Sequence, residues 1–184
     1  MNRTDELAND IGSVIYGEEA VKLGLIDAVG TLADALVGAD VLIGVSVANC
    51  VSKQMVASMS DKAIVFVCAN PVPEINPQDA LDAGAFIVGT GASQYKNQIN
   101  NVLVFPGLFR GALDVGATTV STGMMIAAAN GIANHVSAEQ LTTEYVLPLA
   151  YDKSAHQSVA RAVAKAAVEE GIAKYPQNFE KLYK

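Results

Sequence analysis

The sequence predicts an α/β fold built on a parallel sheet, and three observations predict it. Short continuous apolar runs recur at 41–46 (VLIGVS), 63–69 (AIVFVCA) and 86–88 (FIV). Each run stops abruptly, at Gly-Val-Ser, Asn-Pro or Gly-Thr-Gly. Segments of helical texture lie between them on short links, which is the strand–helix alternation of α/β proteins. Continuous apolar runs, unlike alternating ones, read as strands buried on both faces of a parallel sheet.

Residues 1–29 have a different texture. MNRTDELAND is polar, with a helix expected from Thr4 or Asp5, and a second short helix follows Gly17 and ends at Gly24. From Gly30 the organisation is regular. Thr31 and Asp34 make a Thr-x-x-Asp capping box for a short helix ending at Gly38. Asp40 leads into the first strand, whose carboxyl end turns at Gly44-Val45-Ser46. Ser52 caps KQMVASM, with Met55, Val56 and Met59 on one face. The strand at 63–69 comes next. Asn76 and Pro77 read as N-cap and first residue of the helix PQDALDAG, stopped by Gly84. The strand Phe86 to Val88 follows.

Beyond Asn101 the texture becomes helical. Pro106-Gly107 opens FRGALDVGA, Ser121 caps MMIAAANGIANHV, and Pro148 breaks the chain. Ser154 then opens a long amphipathic helix through Glu170, with Val159, Val163, Ala166 and Ala167 on one face and Gly171 as its stop. The tail YPQNFEKLYK is polar and is expected to be loosely held.

The totals set limits. A chain of 184 residues suits one domain with a real core. Its net charge of −7 argues against nucleic acid or an anionic membrane as partner. Two Cys outside any metal-ligand spacing, with no signal peptide, fit a reducing cytoplasm. No apolar run approaches the roughly 20 residues of a membrane helix. A soluble, cytoplasmic, acidic domain is expected.

In parallel sheets ligands sit outside the carboxyl ends of the strands, which puts Gly44 to Ser46, Asn70 and the loop from Gly89 to Asn101 in view. Asn side chains donate and accept without charge, which suits a carboxylate or a nicotinamide ribose. On chain pattern alone, Asn70-Pro71 reads first as a turn initiator, and Asn100-Asn101 as a loop device. Arg110 is either an anion-binding guanidinium or half of a surface ion pair. Gly89-Thr90-Gly91 begins like a phosphate loop, but position 94 is Gln and no helix opens there. Cys50 and Cys68 read as small apolar groups, and His135 and His156 have no partners at metal-ligand spacing.

ANPVPEI, the spacing to NNVLVFPG, and the following FRGALDVGATT resemble the C-terminal dinucleotide-binding domain of bacterial malic enzymes, from about Gly30 to Pro176. The resemblance implies a partial Rossmann-type parallel sheet flanked by helices, with a helical C-terminal extension. It implies oxidative decarboxylation of malate to pyruvate with NAD or NADP and Mg²⁺ or Mn²⁺. It also implies Asn70, Asn100 and Asn101 as substrate contacts, and Gly44, Val45, Ser46 and Asn70 as cofactor contacts. The family's catalytic Lys and Tyr, its Glu-Asp metal pair and its Gly-rich phosphate loop all lie upstream of the matched part. None of them carries over to a position here, so this chain alone is expected to turn over negligibly.

Gly17-Glu18-Glu19-Ala20 and Gly24-Leu25-Ile26-Asp27 resemble a segment of Clp-type and signal-peptide-peptidase-type serine peptidases that lies downstream of the nucleophile. Nothing around Ser13, Tyr16 or Lys22 forms a nucleophile elbow. The expected division is therefore a segment of different origin at 1–29, a nucleotide-binding domain at 30–176 and a tail at 177–184, with a fusion or rearranged junction near Gly30. The alternative functions are a non-catalytic nucleotide-binding or assembly module and, last, a peptidase remnant. Homo-oligomerisation or association with a full-length subunit is expected in either case.

Overall fold

The computed structural model describes Lys22 and residues 30–183. The expected N-terminal helices, the peptidase-like motif, Ser13 and Tyr16 lie outside the described residues, Lys22 excepted. Helix α1 (Leu32–Leu36) starts as its capping box requires: Asp34 N–H donates to Thr31 Oγ1, and Thr31 N–H donates back to the Asp34 carboxylate. Strand β1 (Val41–Gly44) follows, then α2 (Lys53–Ala57) capped by Ser52. Next come β2 (Ile64–Val67), α3 (Pro77–Asp82) capped by Asn76, and β3 (Ile87–Thr90). The strands form one parallel sheet in the order β1-β2-β3.

Two strand limits differ from the sequence expectation. Strand β2 is shorter than 63–69, and β3 begins after Phe86 and runs on through Gly89 and Thr90. Gly89 continues the strand because it has no side chain. A Cβ there would lie 3.0 Å from Phe66 Cδ1, Ile99 Cδ1 and the Asn97 carbonyl oxygen. Phe86 instead stays at the surface, with the Lys62 ammonium 6.0 Å from its ring centroid.

The expectation of burial on both faces fails at β1. Leu42 and Gly44 are buried, while Val41 and Ile43 point outward, Ile43 with 66% of its surface exposed. One face of the sheet packs on Leu36 of α1, Val56 of α2 and Ala80 of α3 to make the first core. The apolar residues of the other face at β1 stay largely exposed among the described residues.

The second half is helical: a 3₁₀ turn (Asn101–Leu103), then α4 (Phe105–Asp114), α5 (Thr122–Ala133), α6 (Lys153–Glu169) and α7 (Gln177–Leu182). Helix α6 lies at the centre of a second core with Leu108, Met124, Ala128, Val159, Val163 and Ala167. Burying each Val fully contributes roughly 1.5–3 kcal/mol, so this core is a large share of what holds the helices. Helix α4 comes down onto the α6 backbone at Gly107 and Gly111. A Cβ on Gly107 would sit 2.6 Å from the His156 carbonyl oxygen, and one on Gly111 would run into that of Ala160.

Two further expectations are corrected. The N-cap of α6 is Asp152, not Ser154: its Oδ1 accepts from the N–H groups of Ser154 (2.8 Å) and Ala155 (3.3 Å). The carboxylate reaches two orphan donors from the N-cap position, whereas Ser154, two residues further on, is already inside the helix. The tail is not loose. Phe179 and Tyr183 pack on the second core, and Asn178 Nδ2 donates to the Asp114 carbonyl at 2.8 Å. No described helix is long and apolar enough to cross a membrane.

Candidate nucleotide site

The three strands end on one line, with Gly44 in register with Val67 and Val67 with Thr90. Beyond that line the chain supplies Val45-Ser46 after β1, Cys68 to Asn70 after β2, and Gly91 after β3. Gly91 is where two of these ends meet: a Cβ built on it would be 3.7 Å from the carbonyl oxygens of both Cys68 and Ile99. Ile99 N–H in turn donates to the Thr90 carbonyl at 2.8 Å. Asn70, which follows Cys68-Ala69, and Asn100, which follows Ile99, are thereby gathered at one end of the sheet. Ser46 stands on the same edge, one strand away.

These side chains differ in how far they are committed. Asn70 is exposed, and its peptide bond to Pro71 is cis. Asn100 caps the 3₁₀ turn, its Oδ1 accepting from Val102 N–H at 3.0 Å. Its Nδ2 has two donor hydrogens beyond that bond. Asn101 opens the turn and is exposed. Val45 is 81% exposed, and Ser46 is exposed beside it.

Two residues that sequence reasoning missed set this geometry. Glu74 is buried to 1% exposure, yet it carries a carboxylate. Its Oε1 accepts from Ser46 N–H at 2.8 Å and its Oε2 from Ala69 N–H at 3.0 Å. Its own carbonyl accepts from Val51 N–H at 3.0 Å. Asn97, 6% exposed with φ of 50°, donates through Nδ2 to the carbonyls of Val88 (3.0 Å) and Thr143 (2.8 Å). Its Oδ1 accepts from Val146 N–H at 2.9 Å, so it staples β3 and the site loop to the 143–146 segment. A Glu between two prolines and Ile reads as surface in the sequence, and Asn97 reads as one loop polar residue among several. The available signal was Gly44, a glycine inside an otherwise β-branched and apolar strand, which marks a close approach.

The remaining polar residues lie elsewhere. Arg110 pairs with Asp114 on the surface of α4, Nε donating to Oδ2 at 3.0 Å, and that pairing raises the guanidinium pKa. A cavity of about 860 Å³ is lined by Arg110, Asp114, His156, Arg161 and Tyr183, and it shares no residue with the strand ends. His135 bonds through Nδ1 to Ser158 Oγ (3.1 Å) and through Nε2 to Asp152 Oδ2 (3.2 Å), tying the end of α5 to the start of α6. Cys50 and Cys68 are half-buried. Burial first, and the Glu74 charge second, push the Cys68 pKa up and keep it a thiol.

The donor set at the strand ends is neutral: one hydroxyl and three carboxamides. Such groups fit a ribose, a carboxamide or a substrate carboxylate. Among the described residues, no group of three or more His, Cys, Asp or Glu is placed to hold a metal ion.

The family described as "Malic enzyme, NAD binding domain" matches residues 23–168. The "Bifunctional malic/malolactic enzyme" of Bacillus subtilis is 55% identical over 145 residues, covering 79% of this chain and 35% of that protein. The "NADP-dependent malic enzyme" of Rhizobium meliloti is 43% identical over 168 residues, covering 83% of this chain and 22% of that protein. Among solved structures, the malic enzyme of Entamoeba histolytica superposes with a TM-score of 0.78 at 36% identity, covering 84% of this chain and 33% of that one. The chain thus spans about a third or less of the length of these relatives.

Proposed function

This chain belongs to the malic enzyme family through its NAD-binding domain, and from that premise we propose that it holds NAD or NADP at the carboxyl ends of its three strands. The observation that supports the reading is the shared line Gly44, Val67, Thr90, with the Cys68 and Ile99 carbonyls, next to the segments that carry Asn70 and Asn100, meeting at Gly91 beyond it. In the parent reaction malate is oxidised at its hydroxyl-bearing carbon and loses CO₂ to give pyruvate, and the bound nicotinamide supplies the hydride acceptor. Gly44, Val45, Ser46 and Asn70 form the cofactor side. The Asn70, Asn100 and Asn101 carboxamides orient the substrate carboxylate and hydroxyl by neutral hydrogen bonds, without setting a second charge against them. The unit doing this is proposed to run over residues 30–176; the family match begins at residue 23, ahead of the junction expected near Gly30.

By the resemblance, the family's catalytic Lys and Tyr and its metal ligands lie upstream of the matched part, so the chain alone is proposed to turn over malate negligibly. Given malate, Mn²⁺ and NAD⁺ or NADP⁺, the purified chain should show no reduced-nicotinamide absorbance above blank. A metal-dependent rate that Asn70→Ala abolishes would overturn this part of the reading.

A second reading, a non-catalytic module that assembles with a full-length malic enzyme subunit, is favoured by one observation. Phe105, Phe109 and Leu113 form an exposed apolar stripe along α4, Leu113 with 76% of its surface exposed, opposite the Gly107–Gly111 contact. Repeats at i, i+4 and i+8 put the three on one helix face. Co-purification with a malic enzyme, lost in Phe109→Asp, would support this reading. Retention of the complex in that variant would count against it.

A further inference from the structure

We propose that Glu74 is a positioning residue that fixes where Ser46 and Asn70 stand relative to each other, and that Gly44 is a glycine so that it can. The inference rests on the nucleotide reading above. A buried carboxylate is costly unless its oxygens are satisfied. Glu74 meets that condition with two backbone donors from different strand ends: Ser46 N–H on Oε1, after β1, and Ala69 N–H on Oε2, after β2. One rigid group therefore spans the gap between the two ends that frame the site. Charge-assisted bonds of this kind are shorter and stronger than neutral ones and hold geometry accordingly.

Gly44 completes the device. A Cβ there would lie 2.8 Å from both Cδ and Oε1 of Glu74, so any other residue drives the carboxylate off β1. Glu74 cannot retreat easily, because Val51 N–H bonds its carbonyl and Asn49 N–H bonds that of Pro73. The strut also engages the Ser46 and Ala69 N–H groups, which leaves neither free for a ligand. Recognition there falls to the side chains of Ser46 and Asn70, whose placement the strut sets.

The test compares the full chain with Glu74→Gln, Gly44→Ala and the double variant. Amide hydrogen exchange reads the strut, and NADH fluorescence reads the site without interference from protein tryptophan, since the chain has none. Gln keeps the shape but offers one acceptor to two donors. At least one of the Ser46 and Ala69 amides should then exchange tenfold or more faster while those of Val65 and Val67 stay protected. NADH affinity should fall tenfold or more at a temperature where the variant is fully folded. Gly44→Ala should act in the same direction, and the double variant should lose no more than Glu74→Gln alone, because both changes remove one strut. Unchanged exchange at both amides, affinity within twofold of wild type, or additive losses would overturn the proposal. Should Glu74→Gln fail to fold, Gly44→Ala, which retains the carboxylate, carries the comparison. A wild-type chain that holds no NADH would instead sink the nucleotide reading, while faster exchange at Ser46 or Ala69 in Glu74→Gln would still assign the strut to Glu74.

Discussion

At the scale of single residues, one side chain performs the turn role that the sequence offered it and leaves its amide for the ligand role proposed above. Asn100 is a turn device through its Oδ1, and it keeps an amide for donation beyond that bond. Pattern reasoning could not separate the roles, because a capping Asn and a ligand-binding Asn occupy the same loops for the same reason. Asn70 is exposed, so Asn70→Ala should change stability by no more than about 0.5 kcal/mol. It should weaken NADH binding severalfold, which a titration alongside a thermal melt would show. Glu74 was invisible because its partners are backbone groups 28 and 5 residues away, and no spacing announces that. Asp152 was missed for a simpler reason: Ser154 is an equally good cap by residue type. The Ser154 hydroxyl, followed by backbone N–H groups and His135, holds the Asp152 carboxyl down at about 2. A pKa depressed in the fold means a stabilising contribution present in full above the ordinary carboxylate range and lost as pH falls through about 2. Asp152→Asn keeps a capping oxygen and removes only the charge, so it should lower stability at neutral pH with a gap from wild type that narrows as pH falls towards 2. Asp152→Ala, which removes the cap as well, should cost about 1 kcal/mol. Chemical denaturation at both pH values would measure it.

At the scale of elements, helix starts were the most legible feature. Thr31, Ser52, Asn76 and Ser121 all cap where a short polar side chain precedes a helical segment, since the signal and its partner lie within three residues. Strand limits were less legible, because Gly89 extends β3 for a reason found in Phe66 and Ile99, outside its own segment. The α4–α6 contact is equally non-local. Gly111→Ala should force α4 away from the Ala160 carbonyl and cost about 1–3 kcal/mol, read as a drop in denaturation midpoint at unchanged slope. Helix α7, expected as loose tail, is held through Tyr183, whose hydroxyl donates to Asp114. Burial, and then Asp114, raise the phenol pKa. A raised pKa favours the protonated form, so this contact is complete below about pH 10 and is lost as pH rises further. Exchange at the α7 amides should accelerate there before the α6 core opens.

At the scale of the whole molecule, the described residues form two cores, one under a three-stranded sheet and one around α6. The fold class was legible because uninterrupted apolar runs have few alternatives. The open face at β1 was not, since a run apolar on both faces says nothing of what covers each one. Together with the stripe on α4, that face leaves the described part with apolar surface that monomeric proteins usually cover. Sedimentation across a range of concentrations should show self-association, whereas a monomer at every concentration would mean that residues outside the described part cover it. The central claim, that the strand ends form a nucleotide site, is tested most directly by titrating the purified chain with NADH and following the fluorescence of the cofactor. The account predicts saturable binding that Asn70→Ala weakens. Emission rising only in proportion to added NADH, for wild type and variant alike, would contradict it.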